Sequence, residues 1–241
     1  MAHMHLLINL SWKCQLKCPY CLIPHIKVRR RVKEHSWQEW AAGIIRHTTP
    51  GSVIDVAGGE PTLFPGLGDF LREIGYSGRR WAITTNAVDD DGITALLEAR
   101  PPNCRLVNVS DHPGNQGPGP QANIERLRTA FPVNLNRVEV SEAGQRTGIL
   151  NLIPYQSYRE GTEQDHKRRM CDSGIRHWVA DPAMDVFLCN VAMATGREPI
   201  GNLRNETLDK PTGEFVCDWG CSSCYLSVPG AWACNQREVG A

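Results

Sequence analysis

Residues 5–21 read HLLINLSWKCQLKCPYC. The opening run, His5 to Leu10, has the pattern of a buried strand, and it leads straight into a loop carrying Cys14, Cys18 and Cys21. Downstream the same order recurs, strand followed by helix. Ser36 and Glu39 have capping-box spacing, and Trp37, Trp40, Ala41, Ile44 and Ile45 repeat at helical intervals to about His47. Ser52 to Val56 is a short strand, and Leu67, Phe70, Leu71 and Ile74 mark the next helix. Trp81 to Thr85 is a strand, and Ile93 to Ala99 is a helix stopped by Pro101 and Pro102. Arg105–Ser110 (strand), Pro120–Ala130 (helix), then Val133–Val140 and Gly148–Ile153 (strands) complete the series. Repeated strand–helix units predict an α/β fold, a parallel sheet with helices packed outside. Six strands are too few for a closed eight-stranded barrel, so the expectation is a partial (β/α)6 barrel over residues 5–155. Its functional residues belong on the loops after the C-terminal ends of the strands.

Composition narrows the class. The 241 residues include 26 Lys and Arg against 26 Asp and Glu, so the formal net charge is zero. A dedicated nucleic-acid binder would carry a net basic surface, and no nucleic-acid partner is expected. No apolar run approaches the ~20 residues that span a bilayer, and no signal-peptide segment opens the chain, so no membrane partner and a cytoplasmic location are expected. Ten cysteines are many for a chain of this kind. In a cytosolic protein, clustered cysteines bind metal or do redox chemistry more often than they form disulfides. Cys14, Cys18 and Cys21 lie at the start; Cys171, Cys189, Cys217, Cys221, Cys224 and Cys234 lie in the last third; Cys104 stands alone between them.

The candidate motifs each follow a strand. CQLKCPYC follows the first, Ala57-Gly58-Gly59-Glu60-Pro61 the second, Thr84-Thr85-Asn86 ends the third, and Ser110-Asp111-His112 ends the fourth. Three thiolates can hold three corners of an iron–sulfur cube and leave one iron open for a substrate or cofactor. Zinc is the other reading, but a structural zinc site takes four closed ligands and no fourth is nearby. CxxxCxxC after the first strand, an aromatic (Tyr20) before the last cysteine, and GGEP after the second strand together resemble the radical S-adenosylmethionine superfamily over residues 5–155. That resemblance implies a 4Fe–4S cluster on Cys14, Cys18 and Cys21 whose open iron binds S-adenosylmethionine. Reductive cleavage then yields a 5′-deoxyadenosyl radical that abstracts a substrate hydrogen. It also implies that Gly58, Gly59 and Glu60 hold the methionine ammonium and that Tyr20 meets the adenine. Asn86 and Ser110 would contact the methionine carboxylate or the ribose. Both residues are also common strand-end caps.

The C-terminal cysteines form a second group. Asp181-Pro182 marks a turn, so a hairpin would bring Cys171 and Cys189 together, and CDWGCSSC supplies Cys217, Cys221 and Cys224. This arrangement resembles the SPASM and Twitch auxiliary-cluster extensions of the same superfamily. Residues 156–241 are therefore expected to form a small cysteine-rich domain. The resemblance implies a second 4Fe–4S cluster on Cys171, Cys189, Cys221 and Cys224, while Cys217 or Cys234 could replace one of them. Zinc on four of these cysteines is the alternative.

The resemblance implies an oxidoreductase served by an external one-electron reductant such as flavodoxin or ferredoxin. A small-molecule dehydrogenase of the Twitch type, with the auxiliary cluster as electron acceptor, is the preferred reading. A maturase that crosslinks or epimerises a ribosomal peptide is the alternative, with no leader-binding domain expected before the first strand. A nonenzymatic iron–sulfur or zinc protein would leave GGEP and the aromatic unexplained. Secondary candidates are His112 as a proton acceptor, Tyr155, Tyr158 and Arg159 facing substrate, and the 114–120 loop as a lid. The basic run 25–31 reads as a solvated surface and Cys104 as a small buried hydrophobe.

Overall fold

The computed structural model describes residues 4–18, 21, 23–26, 34–112, 120–137, 169–171, 175–210, 215–217 and 237–238. Five parallel strands alternate with helices as the sequence predicts: β1 (His5–Asn9), β2 (Val53–Ala57), β3 (Arg80–Thr85), β4 (Cys104–Asp111) and β5 (Val133–Arg137). The helices between them are α1 (Trp37–His47), α2 (Leu67–Tyr76), α3 (Asp90–Ala99) and α4 (Pro120–Ala130). The capping box opens α1: Ser36 Oγ accepts from Glu39 N at 3.3 Å, and Ser36 N donates to Glu39 Oε2 at 2.9 Å. At α3 the cap is Asp89, whose side chain accepts from Gly92 N at 3.1 Å.

Period-two alternation sorts the strand residues onto two faces. Leu6, Ile8, Ile54, Val56, Trp81, Ile83, Val107 and Val109 pack in one core with Trp40, Ile44, Phe70, Leu71, Ile74, Leu96, Ile124 and Leu127 of the helices. The opposite, inner face is far more polar. On β4 and β5 it carries Asn108 and Ser110 in register with Asn134 and Asn136. Asn134 Nδ2 donates to both Asn108 Oδ1 and Asn136 Oδ1 at 3.1 Å. Near the start of β1, His5 is bound through Nε2 to the Asp55 carboxylate, and its Nδ1 lies 3.1 Å from His177 Nδ1. Burial first, and then His5, pushes the His177 imidazole down to about 3.

Among the described residues the sheet is mixed, open and eight-stranded, in the order β5-β4-β3-β2-β1-β7-β8-β9. The Asp181-Pro182 turn forms as predicted, joining β7 (His177–Ala180) to antiparallel β8 (Asp185–Phe187), and β9 (Gly201–Asn202) pairs with β8. β7 pairs parallel to β1, His5 opposite His177, so the strands after residue 156 extend the main sheet. Separate from it, β6 (Arg169–Cys171) lies between β10 (Phe215–Cys217) and β11 (Arg237–Glu238) in a small antiparallel sheet. The predicted sixth barrel strand (148–153), the end of the fifth (138–140), most of the 114–120 loop, most of the basic run 25–31, and Tyr155, Tyr158 and Arg159 lie outside the described residues.

Candidate active site at the C-terminal edge of the sheet

The loops after β1, β2 and β3 meet at one edge. Leu10 N donates to Ala57 O at 3.3 Å, Gly59 N to Ser11 O at 2.8 Å, and Glu60 N to Lys13 O at 2.7 Å. These bonds fasten the glycine loop to the root of the cysteine loop, backbone to backbone. Only glycine permits the approach at 59, where a Cβ would sit 1.9 Å from Lys13 O. Gly58 has φ +125°, and a Cβ there would sit 2.5 Å from Ser11 O. The residues the glycines approach are thus Ser11 to Lys13 of the neighbouring loop. Ser11 is itself held by Glu34: Ser11 Oγ donates to Glu34 Oε1 at 2.9 Å and Lys13 Nζ to Oε2 at 2.7 Å.

Glu60 is 2% exposed. Its Oε1 accepts from Thr62 N at 3.1 Å, Thr62 Oγ1 at 2.8 Å and Thr85 Oγ1 at 2.6 Å, and its Oε2 from Asn86 N at 2.8 Å. A carboxylate offers about two lone-pair sites on each oxygen; three of these donors converge on Oε1 and one on Oε2. Burial raises the Glu60 pKa, and the donors from Asn86, Thr85 and Thr62 oppose that rise. The carboxylate thus ties the second loop to the third. Motif reading found Glu60 but missed Thr62, Thr85, Gln15 and Glu34; the only signal for Thr85 was its place in the Thr84-Thr85-Asn86 strand end.

Cys14, Cys18 and Cys21 are all half-buried and in no disulfide. Cys14 Sγ accepts from Leu16 N at 3.4 Å and from Asn86 Nδ2 at 3.8 Å. Cys18 Sγ lies 3.9 Å from His112 Nδ1, which brings the end of β4 to the cysteine loop. Burial raises the Cys14 pKa, with the Leu16 N–H working against it; metal binding would remove that proton. Among the described residues no three Cys, His, Asp or Glu side chains converge on one metal ion. A cubane places each thiolate on a different iron, so three thiols spread along one loop, with N–H donors already at a sulfur, fit that group.

Ser110, 7% exposed, sits one residue before the end of β4, opposite Asn136. Tyr20, Cys221, Cys224 and Cys234 lie outside the described residues. Cys171 ends β6 opposite Phe215, and Cys217 on β10 stands opposite Arg169, two register positions away. Cys189 is buried and caps α5 (Asn190–Thr195), its sulfur accepting from Ala192 N at 3.5 Å. Cys104 packs half-buried against the core, its thiol pushed up to about 12 by burial, as its reading as a small hydrophobe predicts. No helix among the described residues is long and apolar enough to cross a membrane.

Residues 8–111, from β1 to the end of β4, match the family model of the Radical SAM superfamily. No curated protein matches the chain. Among solved structures it is similar to Streptococcus suis SuiB bound to precursor peptide SuiA, at 11% identity and a TM-score of 0.60, over 95% of this chain and 67% of SuiB. It is also similar to BtrN in complex with AdoMet and 2-DOIA, at 14% identity and a TM-score of 0.54, over 84% of this chain and 79% of BtrN. Native anSMEcpe with bound AdoMet and a peptide aligns at 14% identity and a TM-score of 0.52, over 84% of this chain and 78% of that one. At these identities the likeness is one of fold.

Proposed function

We propose that this protein is a radical S-adenosylmethionine oxidoreductase that dehydrogenates a small polar molecule. The observation that carries the reading is the backbone pairing of the Cys14–Cys21 loop with the Gly58-Gly59-Glu60 loop at the C-terminal edge of the sheet. When bound to Cys14, Cys18 and Cys21, a reduced 4Fe–4S cluster supplies the electron that cleaves S-adenosylmethionine to methionine and a hydrogen-abstracting 5′-deoxyadenosyl radical. The carbonyls of Gly58 and Gly59 hold the methionine ammonium, and Glu60 fixes the loop that presents them. Tyr20 contacts the adenine, and Ser110 and Asn86 border the ribose and carboxylate. Asn108, Asn134 and Asn136 line the inner wall with neutral hydrogen-bonding groups, which suits a polar, uncharged substrate.

The substrate gives one hydrogen atom to the deoxyadenosyl radical, then a proton to solvent or to His112, and one electron to an acceptor. Cys171, Cys189, Cys221 and Cys224 would hold that acceptor, a second 4Fe–4S cluster. With both clusters bound, the substrate's electron would replace the one spent on cleavage, and an external flavodoxin or ferredoxin would be needed to prime the enzyme. Modification of a peptide is the second reading, because two of the three similar structures hold peptides.

Anaerobic reconstitution tests the assignment. Iron is expected near eight per chain if both clusters are cubanes, falling by about half in the C14A/C18A/C21A variant. Dithionite-reduced protein should release 5′-deoxyadenosine from S-adenosylmethionine, and the triple variant should release none. Undiminished cleavage by that variant would refute the reading. A product of unchanged oxidation state carrying solvent deuterium on carbon would replace dehydrogenation by epimerisation.

A further inference from the structure

We propose that Asn86 sets the reduction potential of the first cluster by donating its side-chain amide to the Cys14 thiolate, with Glu60 holding it in place. The proposal rests on the reading that Cys14 ligates a cluster.

The orientation of the amide is fixed by what surrounds it. Asn86 Oδ1 accepts from Val88 N at 3.0 Å and from Gln15 Nε2 at 3.2 Å. With the oxygen held on that side, the NH₂ group faces Cys14, its nitrogen 3.8 Å from Sγ. Gln15 is the residue next to Cys14, so one side chain grips the cysteine loop twice. The backbone of the turn is equally determined. Asn86 N donates to Glu60 Oε2, and Ala87 N donates to Thr85 Oγ1 at 2.9 Å, while Thr85 Oγ1 itself donates to Glu60. Asn123 Nδ2 on α4 caps Ala87 O at 3.0 Å. Ala87 is fully buried at φ 56°, a left-handed backbone that costs an alanine about 1 kcal/mol. Such strain persists only where surrounding contacts over-determine it, and it gathers at functional sites. Here the contacts converge on a single result, one amide held against one thiolate.

The consequence is electrostatic. One-electron reduction adds negative charge to a cluster, and N–H donors to its sulfurs stabilise that charge and raise the potential. Cys14 receives one donor from its own loop, Leu16 N–H, and one from the end of β3. The second is adjustable by mutation without touching a ligand.

The test is a redox titration of the reconstituted full chain without S-adenosylmethionine, read by EPR. The first-cluster signal is the one absent from C14A/C18A/C21A. N86S keeps an oxygen able to accept from Val88 N but is too short to reach Cys14. Its reduction equilibrium should be about tenfold less favourable, a fall of ~59 mV for a one-electron couple. E60Q, which frees the turn, should move the potential in the same direction by less. The wild-type protein provides a measurement independent of any variant. With ¹⁵N confined to asparagine side chains, pulsed EPR of the reduced first cluster should show a weak ¹⁵N coupling. Absence of that coupling overturns the proposal, whether or not N86S takes up iron. So does an N86S protein with full iron and an unmoved midpoint. Failure to assemble any first cluster would refute the functional reading itself, a result distinct from either.

Discussion

Gly59 shows how a single residue acts at this edge. Its amide bonds Ser11 O, and its missing side chain lets Lys13 O occupy the space where a Cβ would be. Neither backbone can retreat easily, because each continues a strand of the same sheet. G59A should therefore cost about 3 kcal/mol and separate the two loops. The check is a urea midpoint together with iron uptake by the first cysteine loop; wild-type values for both would show that the loops yield. The sequence marked this glycine but not its purpose. GGEP reads as backbone approaching a ligand; the structure adds an approach to a segment some forty-odd residues earlier, and no local pattern encodes that partner. Glu60 was legible as a site residue for the same reason of motif. Its bonding to Thr62, Thr85 and Asn86 depends on three loops meeting, which only the fold decides.

At the scale of elements the sequence was more explicit. Apolar spacing placed β1–β5 and α1–α4, with boundaries shifted by up to three residues at helix starts, because the first turn of α3 (Asp90, Asp91, Gly92) carries no apolar signal. The Asp181-Pro182 turn was also legible, being local chemistry. The pairing of its first strand with β1 was not, since the contact joins His5 to His177 across most of the chain. This turn makes a pH prediction. Burial, and then the neighbouring Asp185, push the Asp181 carboxyl up to about 7. A carboxyl whose folded pKa lies above its unfolded value of about 3.9 binds its proton more tightly in the folded state. Its favourable contribution is complete below about pH 4 and is lost as pH rises through 7. Asp181 Oδ1 accepts from Ala183 N at 2.9 Å and Asp185 N at 3.0 Å, and the asparagine oxygen can do the same. D181N should raise stability at pH 8 by about 2 kcal/mol and leave it unchanged at pH 4. Urea denaturation at both values checks this; an equal effect at the two pH values would rule out titration of Asp181 as the cause.

For the whole molecule the decisive feature is that β1 has parallel partners on both edges, β2 and β7. A chain cut after residue 155 would lose β7 and bare one edge of β1, along with the side of Leu6 and Ile8 that packs with Trp178 and Ala180. Such a fragment should aggregate or unfold without a cooperative transition, seen by light scattering and thermal melting. A soluble fragment with a sharp melt would mean that residues 5–155 form a self-sufficient unit, as the sequence boundary proposed. The arrangement also bears on how far apart two redox centres can stand. β1 ends at the loop of Cys14, while β7 turns back through β8 to Cys189, and Asn9 on β1 bonds both Ala180 O and Met193 Sδ just beyond it. For the proposed auxiliary cluster, at least one ligand is then mounted on the same beam as the first cluster, not on a hinged lobe. Should both proposed clusters form, the sheet itself would fix the Cys189 side of the tunnelling gap between them, with no domain closure needed at that ligand.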